Sequence, residues 1–223
     1  MVGALRYLCN TRPDIAFSVG LISRVMDRPK TSHLAAAKRI LRYVKGTMTY
    51  GILLPNKCRE NKKGLYGFTD SDWGGEKTDR KSTGGSMFLL GTGPISWSSK
   101  KESVVALSSC EAEYIAASMG ACQAIWLDNL MQELMIKKEG DAELFVDNKF
   151  AISLAKHPVT HGRSKHIETR YHFLRDQVTK GILRLSYCRT DMQLADIFTK
   201  AVKNETFRKL RNLLNVVDCN KLV

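Results

Sequence analysis

A chain of 223 residues with 43% hydrophobic side chains can bury one substantial core and is too apolar to stay disordered. It has no run of about 18 apolar residues, which excludes a membrane-spanning helix, and its first residues lack the basic-then-apolar order of a secretory signal, so an intracellular protein is expected. The formal net charge of +13 sits at the front: residues 1–63 hold 13 Lys and Arg against 3 Asp and Glu, residues 64–223 hold 22 against 19, and a field of that sign suits a polyanion such as nucleic acid, although a solubilising surface gives the same sum.

In chain order, Thr11-Arg12-Pro13-Asp14 predicts a helix start with Thr11 as cap, continued by Ile15, Phe17, Val19, Ile22 and Val25. Ser32 predicts a second cap, for a helix ending at Gly46. Its apolar stripe is Ala37, Ile40, Leu41 and Val44, and its basic residues Lys38, Arg39, Arg42 and Lys45 fall elsewhere on the cylinder. Residues 55–64 are polar and charged, a linker between this small helical module and the remainder of the chain. Strands are then expected over 64–70, 86–90 and 95–98, the last two flanking the hairpin signal Gly91-Thr92-Gly93-Pro94.

A long helix is expected over 108–135, then a strand over 143–147, a helix over 148–156 and a polar loop over 157–165. Ile167, Tyr171, Leu174 and Val178 recur at helical spacing, 182–188 reads as a strand, and Thr190-Asp191-Met192-Gln193 predicts the cap of a further helix. Phe207, Leu210, Leu214 and Val217 mark an amphipathic C-terminal helix. The expected division is 1–63, 64–202 and 203–223. The six cysteines are scattered without C-x-x-C pairs, which favours reduced, packed thiols over disulfides or a zinc site. Trp73, Trp97 and Trp126 are expected to pack rather than to stack on bases.

Four carboxylates fall at element ends. Asp70 closes the first strand on the parity of Tyr66 and Phe68, where an apolar residue belongs, and Asp147 does the same after Leu144-Phe145-Val146. On the long helix, Ser108-x-x-Glu111 is a capping box, which gives Glu111 a structural task. Glu113 has none, and it shares a face with Ala117, Gly120 and Ala124, small enough to let the helix approach a sheet. Asp196 lies among Leu194, Ala195, Ile197 and Phe198, one turn inside the helix expected from Thr190. Taken singly, each acid also suits ordinary turn chemistry or solvation; the order strand-Asp, hairpin, helix-Glu, strand-Asp, strand, helix-Asp suits a site.

That order, with the strings TDSDWGG, DRKSTGG, ISWSSKK, ALSSCEAEY, VDNKFAI, SKHIETRYHFLRD and LADIFTK, resembles the ribonuclease H domain of Ty1/copia-type retrotransposon polyproteins. The front strings YLCNTRPDIAFSV and AAAKRILRYVKGT resemble the reverse transcriptase thumb or connection segment just upstream in the same polyproteins. The resemblance implies an α/β fold, a ribonuclease H-like five-stranded mixed sheet flanked by helices and preceded by the small helical module. It places the family's four acidic ligands on Asp70, Glu113, Asp147 and Asp196, with Asp72 the alternative to Asp70.

The implied activity is hydrolysis of the RNA strand of an RNA·DNA hybrid with two Mg2+ ions, Mn2+ being able to substitute, since gathered carboxylates repel unless hard cations lie between them. A catalytically inactive nucleic-acid-binding relic of the same polyprotein is the alternative, and a related nuclease acting on DNA fits the strings less well. Arg80, Lys81, Lys100, Lys101, Arg163, Lys165 and His166, with Lys38, Arg39 and Arg42, are the candidate backbone contacts; solvated surface charge accounts for each of them equally well. The mobile histidine of some cellular members has no counterpart between Tyr187 and Leu194, and neither His166 nor His172 stands at the matching place. The paired aspartates Tyr-x-Asp-Asp are absent, so polymerisation is not expected. The upstream reverse transcriptase domain is the expected protein partner, with no membrane and no small-molecule cofactor, in a cytoplasmic particle or the nucleus.

Overall fold

The apolar residues of the front segment bury one another before the sheet begins. The computed structural model describes residues 1–54, 64–136, 140–157 and 168–222. Helices α1 (Val2–Leu8), α2 (Ala16–Ser23) and α3 (Thr31–Gly46) close over Leu5, Ile15, Val19, Ile22, Ala37 and Ile40. Thr11 does not cap: its hydroxyl donates to Leu8 O, Pro13–Ile15 forms a 3-10 turn, and Asp14 is held by Arg12 instead. Ser32 lies inside α3, whose first turn is tied by Lys30 N donating to His33 Nδ1. Leu41 is exposed, and Tyr43 packs inward in its place. Lys38, Arg39 and Arg42 face solvent.

A short strand β1 (Tyr50–Ile52) comes next, and the predicted linker lies outside the described residues except for Gly64. Strands β2 (Leu65–Asp72), β3 (Thr83–Leu90) and β4 (Gly93–Lys101) form an antiparallel meander, with Gly91 at φ +65° making the tight β3–β4 turn that the glycines foretold. Helix α4 (Ser109–Glu133) then crosses the sheet, and β5 (Ala142–Val146) runs parallel to β2. Helices α5 (Lys149–Lys156) and α6 (Glu168–Thr179) lead to β6 (Leu183–Tyr187), parallel to β5, for a sheet order β4-β3-β2-β5-β6. This is the expected mixed five-stranded sheet flanked by helices.

Both faces of β2 are covered, and a glycine sets the spacing on each. On one face Leu65, Phe88 and Leu144 meet α4 through Ala117, Ala121 and Ala124, and each large side chain buried there contributes about 1.5–3 kcal/mol. A Cβ on Gly120 would lie 2.4 Å from Thr69 Cγ2, so only glycine lets α4 approach so closely. On the other face Met87 and Phe68 meet α7 (Asp196–Thr199) and α8 (Asn204–Leu213) through Phe198, Ile197 and Leu210. There a Cβ on Gly85 would lie 2.6 Å from Thr199 Cγ2 and 3.0 Å from Ala195 O.

The helix expected from Thr190 takes another form. Thr190–Met192 is a 3-10 turn, and α7 begins at Asp196 itself. Gln193 turns inward instead of capping: its Nε2 donates to Thr69 O at 2.8 Å, and its Oε1 accepts from Ala195 N. The C-terminal helix stops at Leu213, after which β7 (Val216–Asp218) pairs antiparallel with β1, joining the tail to the front segment. No helix among the described residues is long and apolar enough to cross a membrane.

Candidate metal centre

Asp70 is 1% exposed near the end of β2 and pairs in register with Gly85, so the helix that packs on Gly85 sits directly over it. Its Oδ2 accepts from Thr199 Oγ1 and lies 3.4 Å from Lys200 Nζ. Glu113 arrives from the opposite face in the second turn of α4, whose start is held by Ser108 Oγ accepting from Glu111 N and by Glu111 Oε2 accepting from Leu107 N. At 6% exposure, Glu113 has Oε1 accepting from Ser71 N at 3.4 Å, while its buried Oε2 accepts no hydrogen bond. Asp147 directly follows β5, half-buried, and Thr190 Oγ1 donates to its Oδ2 at 3.0 Å.

Carboxylate oxygens of Asp70, Glu113 and Asp147 all lie within 4.8 Å of one another. This tri-acidic cluster is compatible with one divalent-metal site. Asp196 stands beside it: Lys200 Nζ reaches Asp196 Oδ1 at 2.9 Å as well as Asp70, so one ammonium bridges the two aspartates. Asp72, two residues beyond Asp70, accepts from Thr83 N and lies outside the trio.

The protonation equilibria record the crowding. Burial first, and then the charges of Asp70 and Asp147, push Glu113 well above the usual carboxylate range. Asp147 is raised by burial and by Asp70, and Asp196 by burial and Asp70 against the pull of Lys200. Burial lowers Lys200, yet Asp70 and Asp196 outweigh it and hold the ammonium above its ordinary value. Burial pushes Asp72 up to about 6, partly offset by the Thr83 N–H and Arg24. Three carboxylates this close repel by several kcal/mol at an effective dielectric of about 20, and a hard divalent cation removes that repulsion. The all-oxygen donor set and the unpartnered Glu113 Oε2 fit such an ion.

Of the candidate phosphate contacts, Arg80 and Lys100 are exposed and Lys81 is half-buried. Lys101 pairs with Asp79 at 2.8 Å, an ion pair within the neighbouring loop. Arg163, Lys165 and His166 lie outside the described residues. His172 is exposed on α6. Trp97 is held as expected, donating to Cys9 O at 2.8 Å, but Trp73 and Trp126 are 54% and 56% exposed. Sequence reading missed Thr190, Thr199 and Lys200. Lys200 carried a signal, the i,i+4 spacing from Asp196; the contact of Thr199 with Asp70, 129 residues away, carried none. Cys9, Cys110, Cys122, Cys188 and Cys219 are free thiols.

No family model matches the chain. It is 42% identical over 216 residues, 97% of its length, to a retrovirus-related Pol polyprotein from transposon RE1 of Arabidopsis thaliana. It is 38% identical over 220 residues, 96% of its length, to the corresponding polyprotein from transposon TNT 1-94 of Nicotiana tabacum. The chain spans 14% and 16% of the length of these relatives. Among solved structures, the N-terminal RNase H domain of a Mycobacterium tuberculosis protein aligns with 67% of this chain and 96% of that one, at a TM-score of 0.46 and 12% identity.

Proposed function

Since the chain belongs to the Ty1/copia-type retrotransposon Pol polyproteins, we propose that its mixed five-stranded sheet with flanking helices is a ribonuclease H-like domain, a metal-dependent endoribonuclease that cleaves the RNA strand of RNA·DNA hybrids. The observation that supports this reading is the convergence of Asp70, Glu113 and Asp147, from two strands and a helix, on one point with Asp196 alongside. Asp70, Glu113 and Asp147 would hold one divalent ion and Asp70 with Asp196 a second, Mg2+ being the expected occupant and Mn2+ a substitute. Such ions supply a water of lowered pKa and counter-charge for the leaving oxygen of an in-line displacement at phosphorus.

The chain's own groups set the geometry. Thr199 and Thr190 fix the carboxylates of Asp70 and Asp147, and the Ser71 N–H fixes one oxygen of Glu113, leaving the other free. Water adds to phosphorus as the P–O3′ bond breaks, leaving a 3′-hydroxyl and a 5′-phosphate. Exposed Lys38, Arg39 and Arg42 on α3, and Arg80, Lys81, Lys100 and Lys101 around the ends of the meander, would contact phosphates. Discrimination then rests on the RNA 2′-hydroxyls, and sequence readout is weak. Residues 1–63 act in this reading as the thumb or connection remnant that grips the hybrid beside an upstream polymerase domain.

A labelled RNA·DNA hybrid incubated with Mg2+ should be cut by the native chain, with Asp70→Asn and Asp147→Asn slowed by about a thousandfold or more while their circular dichroism is unchanged. Undiminished cleavage by Asp147→Asn would reject the assignment. Tight hybrid binding without cleavage by the native chain would select the inactive relic.

A further inference from the structure

The two sides of Asp70 are neutralised differently. Among the described residues Glu113 and Asp147 form no ion pair, and Glu113 Oε2 is buried without a donor. On the other side Asp70 and Asp196 already share the ammonium of Lys200, at 3.4 and 2.9 Å. The position of that ammonium is built into the fold: Lys200 closes α7, its N–H donates to Asp196 O, and α7 is seated against Gly85 with no room for a side chain between. The side chain of Lys200 is only partly buried, however. The Lys200 side chain is 40% exposed, so the head can leave the aspartates for solvent while the backbone stays where it is.

We propose that Lys200 is an internal counter-cation that holds the Asp70–Asp196 side of the centre against a second divalent ion until bound nucleic acid draws it away. The inference rests on the metal-dependent reading and deepens it. An ammonium carries one charge and donates hydrogen bonds but offers no lone pair, so it relieves the repulsion of two carboxylates without serving as a Lewis acid. It therefore occupies a metal position in charge alone. A nucleic-acid phosphate offers the same head an alternative anion, and Lys200 is flexible enough to take it. In the free chain the centre accordingly takes one divalent ion, at Asp70, Glu113 and Asp147. The second is admitted with substrate, which keeps a fully loaded centre from forming without something to cleave.

Mn2+ titration of the purified chain, with free Mn2+ read by electron paramagnetic resonance, tests this without reference to turnover. The native chain and Lys200→Arg, which keeps the cation, should each bind one Mn2+, whereas Lys200→Met should bind two, the second at least tenfold more tightly than the native chain does. Adding a hybrid with a 2′-O-methyl RNA strand, which binds without being cut, should raise the native count from one to two. Equal counts and affinities for native and Lys200→Met overturn the inference, as does a native count that the hybrid leaves at one. A native chain that binds no Mn2+ under any of these conditions overturns the metal-dependent reading as well.

Discussion

Asp70 and Asp72 project from the same face of one strand, yet only the first meets Glu113 and Asp147; the backbone N–H of Thr83 captures the second where β2 ends and β3 begins. Burial leaves Asp72 with a folded-state pKa of about 6 against an ordinary value of 3.8, so between these values the folded state binds more protons than the unfolded one. Its contribution to stability is therefore full below pH 3.8 and is lost as pH rises through about 6. Asp72→Asn keeps the acceptor for Thr83 and removes the charge. In urea titrations with chelator it should be more stable than the native chain at about pH 7.5 by about 1 kcal/mol, allowing for solvent screening of a half-buried group, and indistinguishable at about pH 3.5. The hydroxyl of Thr190 acts on a different acid: it donates to Asp147 Oδ2, fixing that carboxylate and favouring its charged form. Thr190→Val should weaken Mn2+ binding about tenfold, measured by the same resonance titration, with little change in stability.

At the scale of elements, two missing side chains decide whether the acids meet. Gly120 lets α4 lie against Thr69 and so carries Glu113 to the end of β2; Gly85 lets α7 lie against β3 and carries Asp196, Thr199 and Lys200 to Asp70 from the other face. A methyl at either place must displace a packed helix rather than a flexible tip. Gly85→Ala should cost about 1–3 kcal/mol, seen as a fall of several degrees in Tm, and should slow hybrid cleavage more than that loss of folded protein explains. A Gly85→Ala variant with native Tm and native cleavage would show that α7 is not held by this contact.

Across the whole molecule, the front segment is tied to the rest by buried polar groups as well as by packing. Arg12 grips Asp14 through two hydrogen bonds at 2.9 and 2.7 Å and also reaches Thr47; Tyr43 donates to Asp14 at 2.6 Å and accepts from Arg211 of α8. Trp97 donates to Cys9 O, Arg24 donates to Thr83 Oγ1, and β1 pairs with β7. Removing one partner of a buried pair strands the other, so Asp14→Ala should cost about 3–5 kcal/mol in thermal or urea unfolding. That loss would exceed any expected from the surface pair Lys180–Asp176.

Local periodicity and capping chemistry were enough to place the meander, α4, β5 and β6 within a few residues, and parity alone marked Asp70 and Asp147 as acids where apolar side chains belong, because the pleat of a strand is a property of its own few residues. The small-residue face of α4 likewise marked Glu113 before any partner was known. Contacts between distant segments left no such trace. Gln193 turning from cap to buried tether, Asp196 starting its helix rather than lying within it, β7 joining β1, and Lys200 settling between two aspartates all depend on which surfaces meet after the chain has closed. The residue types and their order were thus the sequence's own decision. Which oxygens share a point, and which cation stands among them, was decided only by tertiary packing, since those distances are set by helices seated on glycines far away along the chain.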